Sequence, residues 1–220
     1  MSKVELPAIH TCVVSHLLNI HADLAQQVAD GLGLKQMPTP AKAAIATRTD
    51  LKPSDALSIL KNGPQNFKGR KLGILVTDSV DIKLYNAFTK AVQAEGASFE
   101  AIAPTIGGVD ASDGTHIDAM QKVNGGSSVL YDAVVLLLSQ SGAELLAQEA
   151  TARDFISDAF AHCKFIGYTQ PALALFDKAG LRGNLDAGCM SLDSATDAKK
   201  FLKTCGALRF WERENKVSVV

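Results

Sequence analysis

No metal or disulfide framework is spelled out in this sequence: its four cysteines, Cys12, Cys163, Cys189 and Cys205, stand far apart with no C-x-x-C pair, which fits neither a zinc site nor a dense set of disulfides. They read as buried free thiols. Charge of one sign is also missing: 22 Lys and Arg against 23 Asp and Glu leave a formal net charge of −1, and the cations are scattered, so no basic field marks nucleic acid as a partner. The longest apolar run, AVVLLL at 133–138, falls far short of the roughly 18 residues needed to span a bilayer and reads as a buried strand. No membrane partner is expected. The opening MSKVELPAIH has no charged start followed by a long apolar stretch, so no secretory signal is read there and the compartment, cytoplasmic or secreted, stays open. Neither G-x-G-x-x-G nor a P-loop occurs, which leaves dinucleotides and nucleoside triphosphates unsupported.

What is present divides into three textures. In residues 1–36 the apolar positions Leu17, Leu18, Leu24, Ala25, Val28 and Leu32 recur at helical spacing, with Gly31 and Gly33 as stops, so one or two helices are expected over 11–34. Residues 37–69 carry Pro38, Pro40, Pro53 and Pro64 and few large apolar side chains; prolines so spaced prevent a continuous helix or central strand, and an extended linker with one short helix near Ser54 to Leu60 is expected.

From residue 70 to 220 short apolar runs alternate with amphipathic stretches, the pattern of a doubly wound, mostly parallel sheet covered by helices on both faces. KLGILV (71–76), ASFEAIA (97–103), DAVVLLL (132–138) and KFIGY (164–168) read as strands, with the unalternating DAVVLLL at the sheet centre. Asp81 caps a helix striped by Leu84, Ala87, Phe88, Ala91 and Val92 and closed by Gly96. Asp113-Gly114 signals a hairpin in which both central residues take positive φ. One helix is expected over Gly142 to His162, and another begins at Pro171. The pattern beyond Gly183 gives a strand near Ala187 to Leu192, a helix from Ser194 to Thr204 and a terminal segment docked through Trp211.

In such a sheet a site belongs off the carboxyl ends of the strands, in the turns after Val76, Leu138 and Tyr168. The first turn, T-D-S-V-D, holds Asp78 and Asp81; Thr77 and Ser79 are its only hydroxyls for a flavin phosphate. The third, after Tyr168, has the strand-to-helix form of a nucleophile elbow but offers Tyr168, Thr169 and Gln170, with no thiol and no histidine base following. Cys163 lies at the wrong end of the strand. His10, His16 and His21 fall unevenly around a helix, and Asp110, Asp113, Asp118 and Asp132 lack the alternation of a calcium loop, so no metal is expected. The expected catalytic set is therefore empty.

HLLNIHADLAQQVADGLGL (16–34), followed by the proline-spaced linker, resembles the last helical segment of large-subunit catalases. GGVDASDGTHIDA (107–119) and GGSSVLYDAVVLLLS (125–139) resemble the hairpin and central strand of the domain appended to them, and more loosely the class I glutamine-amidotransferase-like (DJ/PfpI) superfamily. The resemblance implies a three-layer α/β/α flavodoxin-like domain, with haem and the peroxide chemistry held elsewhere in a parent homotetramer. Its implied partners are the catalase core and neighbouring subunits. Active members of the superfamily carry an elbow cysteine and an acid from the first turn; here Tyr168 or Thr169 stands at a vestigial elbow, and Asp78 or Asp81 has no thiol to activate. The implied role is a stabilising accessory domain. Alternatives are a holder of unfolded client proteins, a surviving hydrolase or glyoxalase-type enzyme, and a flavin-binding module.

Overall fold

The computed structural model describes residues 3–48 and 50–217. The chain separates after Leu57 into two compact units.

The first unit is built on two helices, α1 (Pro7–Leu17) and α2 (Ala22–Gly31). Pro7 opens α1 where its missing amide costs nothing, so the helix starts earlier than the periodicity alone suggests. Val14, Ala25 and Ala29 are its buried core, flanked by Leu17, Leu18, Val28, Leu32 and Leu34. Gly33 at φ +67° lets the chain leave the helix. The described residues that follow form no helix or strand until a 3₁₀ turn at Asp55–Leu57; Thr47 Oγ1 donates to the Asn19 carbonyl at 2.7 Å and Asn19 Nδ2 to that of Ala41 at 2.7 Å. Ile20, Ile45, Leu51 and Leu57 lie open to solvent, with Ile45 86% and Leu57 87% exposed.

The second unit opens with a single turn of helix, α3 (Ile59–Asn62), and then runs β1 (Lys71–Val76), α4 (Ile82–Ala94), β2 (Ser98–Ala103), β3 (Val109–Asp110), β4 (His116–Ile117), β5 (Gln121–Lys122), β6 (Ala133–Leu137), α5 (Gln140–Gln148), α6 (Ala150–Ala161), β7 (Ile166–Tyr168), α7 (Leu173–Lys178), β8 (Cys189–Ser191) and α8 (Asp197–Cys205). Six strands form one parallel sheet in the order β5-β2-β1-β6-β7-β8. In β6, Ala133, Val135 and Leu137 join the core with α4 and α8, while Val134 and Leu136 face α5, α6 and α7. Both faces are apolar because both are covered, which is why the strand shows no polar alternation. This is the three-layer, flavodoxin-like arrangement expected.

Several details differ from expectation. The stretch over 142–162 is two helices: Glu149 adopts ψ 125° and breaks the run, a kink that no glycine or proline announces. The 113–114 hairpin forms, pairing Val109 with Ile117 and Asp110 with His116, but among its turn residues Gly114 takes positive φ (+85°) and Asp113 does not. Ala111 N donates to the Thr115 carbonyl and Gly114 N to that of Ala111, so a longer loop with one left-handed glycine replaces the two-residue turn. Strand β5 was not foreseen, because Gln121-Lys122 carries no apolar signal; it pairs with Ile102 and Ala103 at the sheet edge. Pro171 lies in a 3₁₀ turn leading into α7. Helix α8 starts at Asp197, later than Ser194. Trp211 is 42% exposed and does not anchor the terminal segment; Arg213 does.

Candidate functional site

The order of the sheet reverses between β1 and β6, and there, off their carboxyl ends, a doubly wound fold places a ligand crevice. Thr77 and Ser139 occupy it. Thr77 Oγ1 accepts the Ser139 amide at 3.0 Å and lies 3.3 Å from Ser139 Oγ, which in turn accepts the Gly142 amide at 3.1 Å and caps α5. A Cβ on Gly142 would come within 2.1 Å of Thr77 Oγ1, so helix and turn are in direct contact. Both hydroxyls serve the backbone.

The two carboxylates of the first turn are similarly occupied. Asp81 Oδ1 accepts the Lys83 and Leu84 amides at 2.8 and 3.3 Å, capping α4 as its position before an apolar stripe suggested. Asp78 Oδ1 accepts the Asp110 amide at 3.0 Å, tying the turn to the β3–β4 ribbon. Two main-chain bonds reinforce that tie, Ser79 N to the Asp110 carbonyl at 2.7 Å and Ser112 N to that of Val80 at 3.0 Å. Ser79 is held at φ +63°, a conformation unusual for a residue with a side chain.

At the elbow after β7, Tyr168 is buried with its ring edge-on to Phe176 at 5.2 Å, and burial pushes its phenol pKa up. Thr169 Oγ1 accepts the Leu138 amide at 3.0 Å and lies 3.1 and 3.3 Å from the Leu138 and Leu136 carbonyls to which it donates. Its backbone, φ −80° and ψ 153°, is ordinary extended chain, without the strain of a nucleophile elbow. The structure thus keeps Thr169 with β6, Asp78 with the ribbon and Asp81 with α4.

The thiols are poorly suited to attack. Burial raises the thiol pKa of Cys163 and of Cys205 and pushes that of Cys189 up to about 11, whereas a reactive cysteine needs its thiolate favoured. Cys163 and Cys205 are buried as expected; Cys189 is half-buried and Cys12 is exposed, against expectation.

The polar residues that periodicity missed lie at the other end of the sheet. Lys164, buried just before β7, donates to the Ser128 and Tyr131 carbonyls; desolvation, then repulsion from Arg209, lowers its pKa to about 8. Arg213, from the terminal 3₁₀ segment, pairs with Asp186 and donates to the Lys164 carbonyl at 2.7 Å, with Phe160 4.2 Å beneath its guanidinium. Burial works to raise the Asp186 pKa, but the bonds and charge of Arg213 outweigh it and hold the carboxyl below its ordinary range. Glu100 receives Lys71 at 2.7 Å and the hydroxyl of the same Tyr131 at 2.9 Å. No single-residue signal foretold these partners, since the pairings span from 27 to 49 positions of chain.

Among the described residues no group of three His, Cys, Asp or Glu could hold a metal ion, and no helix is long and apolar enough to cross a membrane.

The doubly wound α/β/α domain is flavodoxin-like in class, and at its crevice Thr77, Ser139, Asp78 and Asp81 each bond to its own backbone. Residues 68–215 match the C-terminal domain found in long catalases, and the chain belongs to that family. It is 53% identical over 219 residues to Catalase C of Rhizobium meliloti, covering 100% of this chain and 31% of that protein. Identity to Catalase HPII of Mycobacterium avium is 30% over 228 residues, covering 97% of this chain and 32% of the relative. Catalase HPII of Pseudomonas putida shares 29% over 223 residues, 100% of this chain and 30% of its own length. The chain therefore spans less than a third of these relatives.

Proposed function

We propose that the chain is an accessory domain of a large-subunit catalase. The parent decomposes hydrogen peroxide at a haem held outside these residues, and this region packs against the catalase core and neighbouring subunits, raising the oligomer's resistance to denaturation without a catalytic site of its own. The supporting observation is the commitment of the Thr169 hydroxyl to the β6 backbone on both its donor and acceptor sides, which leaves the elbow without a nucleophile. A stabilising contact that exists only in the folded oligomer adds directly to its stability. The three-part division into a helical segment (1–36), a linker (37–69) and the α/β domain (70–220) belongs to the same reading, with the first two parts lying on the core.

The test compares peroxide consumption, after graded heating, by a parent catalase carrying this domain and by one truncated before residue 68. Earlier inactivation of the truncated form supports the proposal. Identical inactivation curves reject it, and peroxide turnover by the isolated chain would reject the absence of a site.

Client holding is the second reading, favoured by the open apolar side chains Ile20, Ile45, Leu51 and Leu57. Suppression of light scattering by an aggregating client, lost when these four are changed to Ser, is the result it requires.

A further inference from the structure

The ribbon over the β1–α4 turn is closed by a single histidine. His116 Nδ1 lies 2.7 Å from Asp110 Oδ1, across the β3–β4 pair, and its Nε2 lies 2.9 Å from the Gly107 carbonyl in the loop before β3. Asp118 Oδ1 is a further 3.7 Å from Nε2. A carbonyl and a carboxylate only accept, so both ring nitrogens must carry a proton for both contacts to be hydrogen bonds. A neutral imidazole has one N–H and must turn a lone pair toward either Asp110 or Gly107. The same Asp110 supplies, through its backbone, two of the bonds that hold the ribbon to the turn, one accepted by Asp78 and one donated by Ser79.

We propose that His116 is a proton-operated latch: as the imidazolium it ties β3, the preceding loop and the residue after β4 into one unit that keeps the ribbon down on the β1–α4 turn, and loss of its proton loosens that unit. Beside the latch a groove of about 290 Å³ is lined by Ile82, Tyr85, Phe99 and Met120, among others. The titratable groups facing His116 are Asp110 on β3, Asp118 after β4, and Tyr85 from α4, whose phenol is held protonated by burial and then by the Asp118 charge. In the turn itself Asp113 accepts the Thr115 amide. The hydrogen bond to Asp110, against a smaller desolvation cost and with help from Gly107, Asp110 and Asp118, raises the His116 pKa above its ordinary 6.5. A histidine whose folded pKa is raised stabilises fully below its unfolded value and loses that contribution as pH rises through the folded one. The latch is therefore closed in mild acid and released toward alkaline pH. Val109, Ala111 and Ile117 remain packed in the core throughout, so the motion is a local opening of the ribbon and not its detachment.

The experiment is NMR on the whole chain. At acid pH both ring nitrogens of His116 are expected to carry protons, with a titration midpoint above 6.5. Amide-exchange protection of Ser79 and Ser112, corrected for intrinsic rates, is expected to fall roughly two- to fivefold through that midpoint, the range exposed ion pairs supply. In His116→Gln the fall is abolished, and in Asp110→Asn the midpoint drops; the second variant keeps the test valid if the first misfolds. A midpoint at or below 6.5, protection that does not change with pH, or the same change in His116→Gln would overturn the proposal.

Discussion

Arg213 and Asp186 meet as a two-point pair, Nε to Oδ2 and Nη2 to Oδ1, both at 2.8 Å, with the Arg213 side chain wholly out of solvent. The planar guanidinium fits the carboxylate fork, so each charge is balanced where water cannot reach it. Nη1 donates to the Lys164 carbonyl at the entrance to β7 and to that of Phe160, and Phe160 and Phe210 lie against the guanidinium at 4.2 and 5.6 Å. One side chain thus joins the end of the chain to β7, α6 and the segment before β8.

Removing one partner of a buried pair strands the other, at a cost of about 3–5 kcal/mol. Arg213→Ala is accordingly expected to lower the urea midpoint of the second unit strongly, and Arg213→Lys to recover only part of the loss because an ammonium cannot fork. The double variant with Asp186→Asn should be less destabilised than the sum of the two single changes. Strict additivity would show that the pair is not the source of the effect.

Lys164 predicts a pH dependence with a definite sign. Its folded pKa of about 8 lies below its ordinary 10.5, so above pH 8 the unfolded chain binds more protons and stability rises with pH, by at most about 1.4 kcal/mol per pH unit. The thiols of Cys189 and Cys205, held protonated by burial, oppose this once pH passes the ordinary thiol value of 9. The rise is therefore confined to roughly one unit above pH 8. Denaturation curves of Lys164→Met, less stable overall, are expected to show no such rise; an identical slope in both proteins contradicts the assignment.

At the sheet's switch point, Gly142→Ala forces a methyl group within 2.1 Å of Thr77 Oγ1. Overpacking of this kind costs about 1–3 kcal/mol, which calorimetry would register as a lowered Tm. Gly31→Ala, with nothing within 4 Å of its Cβ position, is the comparison and is expected to be neutral or mildly stabilising.

Thiol titration tests the inert-cysteine reading directly. In the native protein Cys12 is expected to react promptly with a disulfide reagent, and Cys163, Cys189 and Cys205 only on unfolding, since they are buried or half-buried and all three thiols are raised. Rapid native-state modification of Cys163 at neutral pH would restore a candidate nucleophile.

The α/β alternation, the central β6 strand, the Asp81 cap and the catalase resemblance were all open to inspection in the chain, because each depends on neighbours within a few residues. The 3.6-residue stripe of α4 and the unbroken apolar run of β6 are local patterns with one physical solution each. The break at Glu149 was hidden because no helix-breaking residue marks it, and β5 because edge pairing demands no apolar side chain. The residue types at the turn after β7, Tyr168 and Thr169, were legible, yet the acceptance of a β6-end amide by the Thr169 hydroxyl was not.

Order along the chain settled which segments become strands and helices, and that the turn after β7 carries no thiol. Folding alone settled which distant groups share a low-dielectric space. Lys164 reads as an ordinary surface cation until β7 draws it beneath Ser128 and Tyr131; Arg213 reads as part of a charged tail until Asp186 lies 2.8 Å away. Burial and pairing depend on contacts between residues far apart in sequence, and no local pattern encodes them.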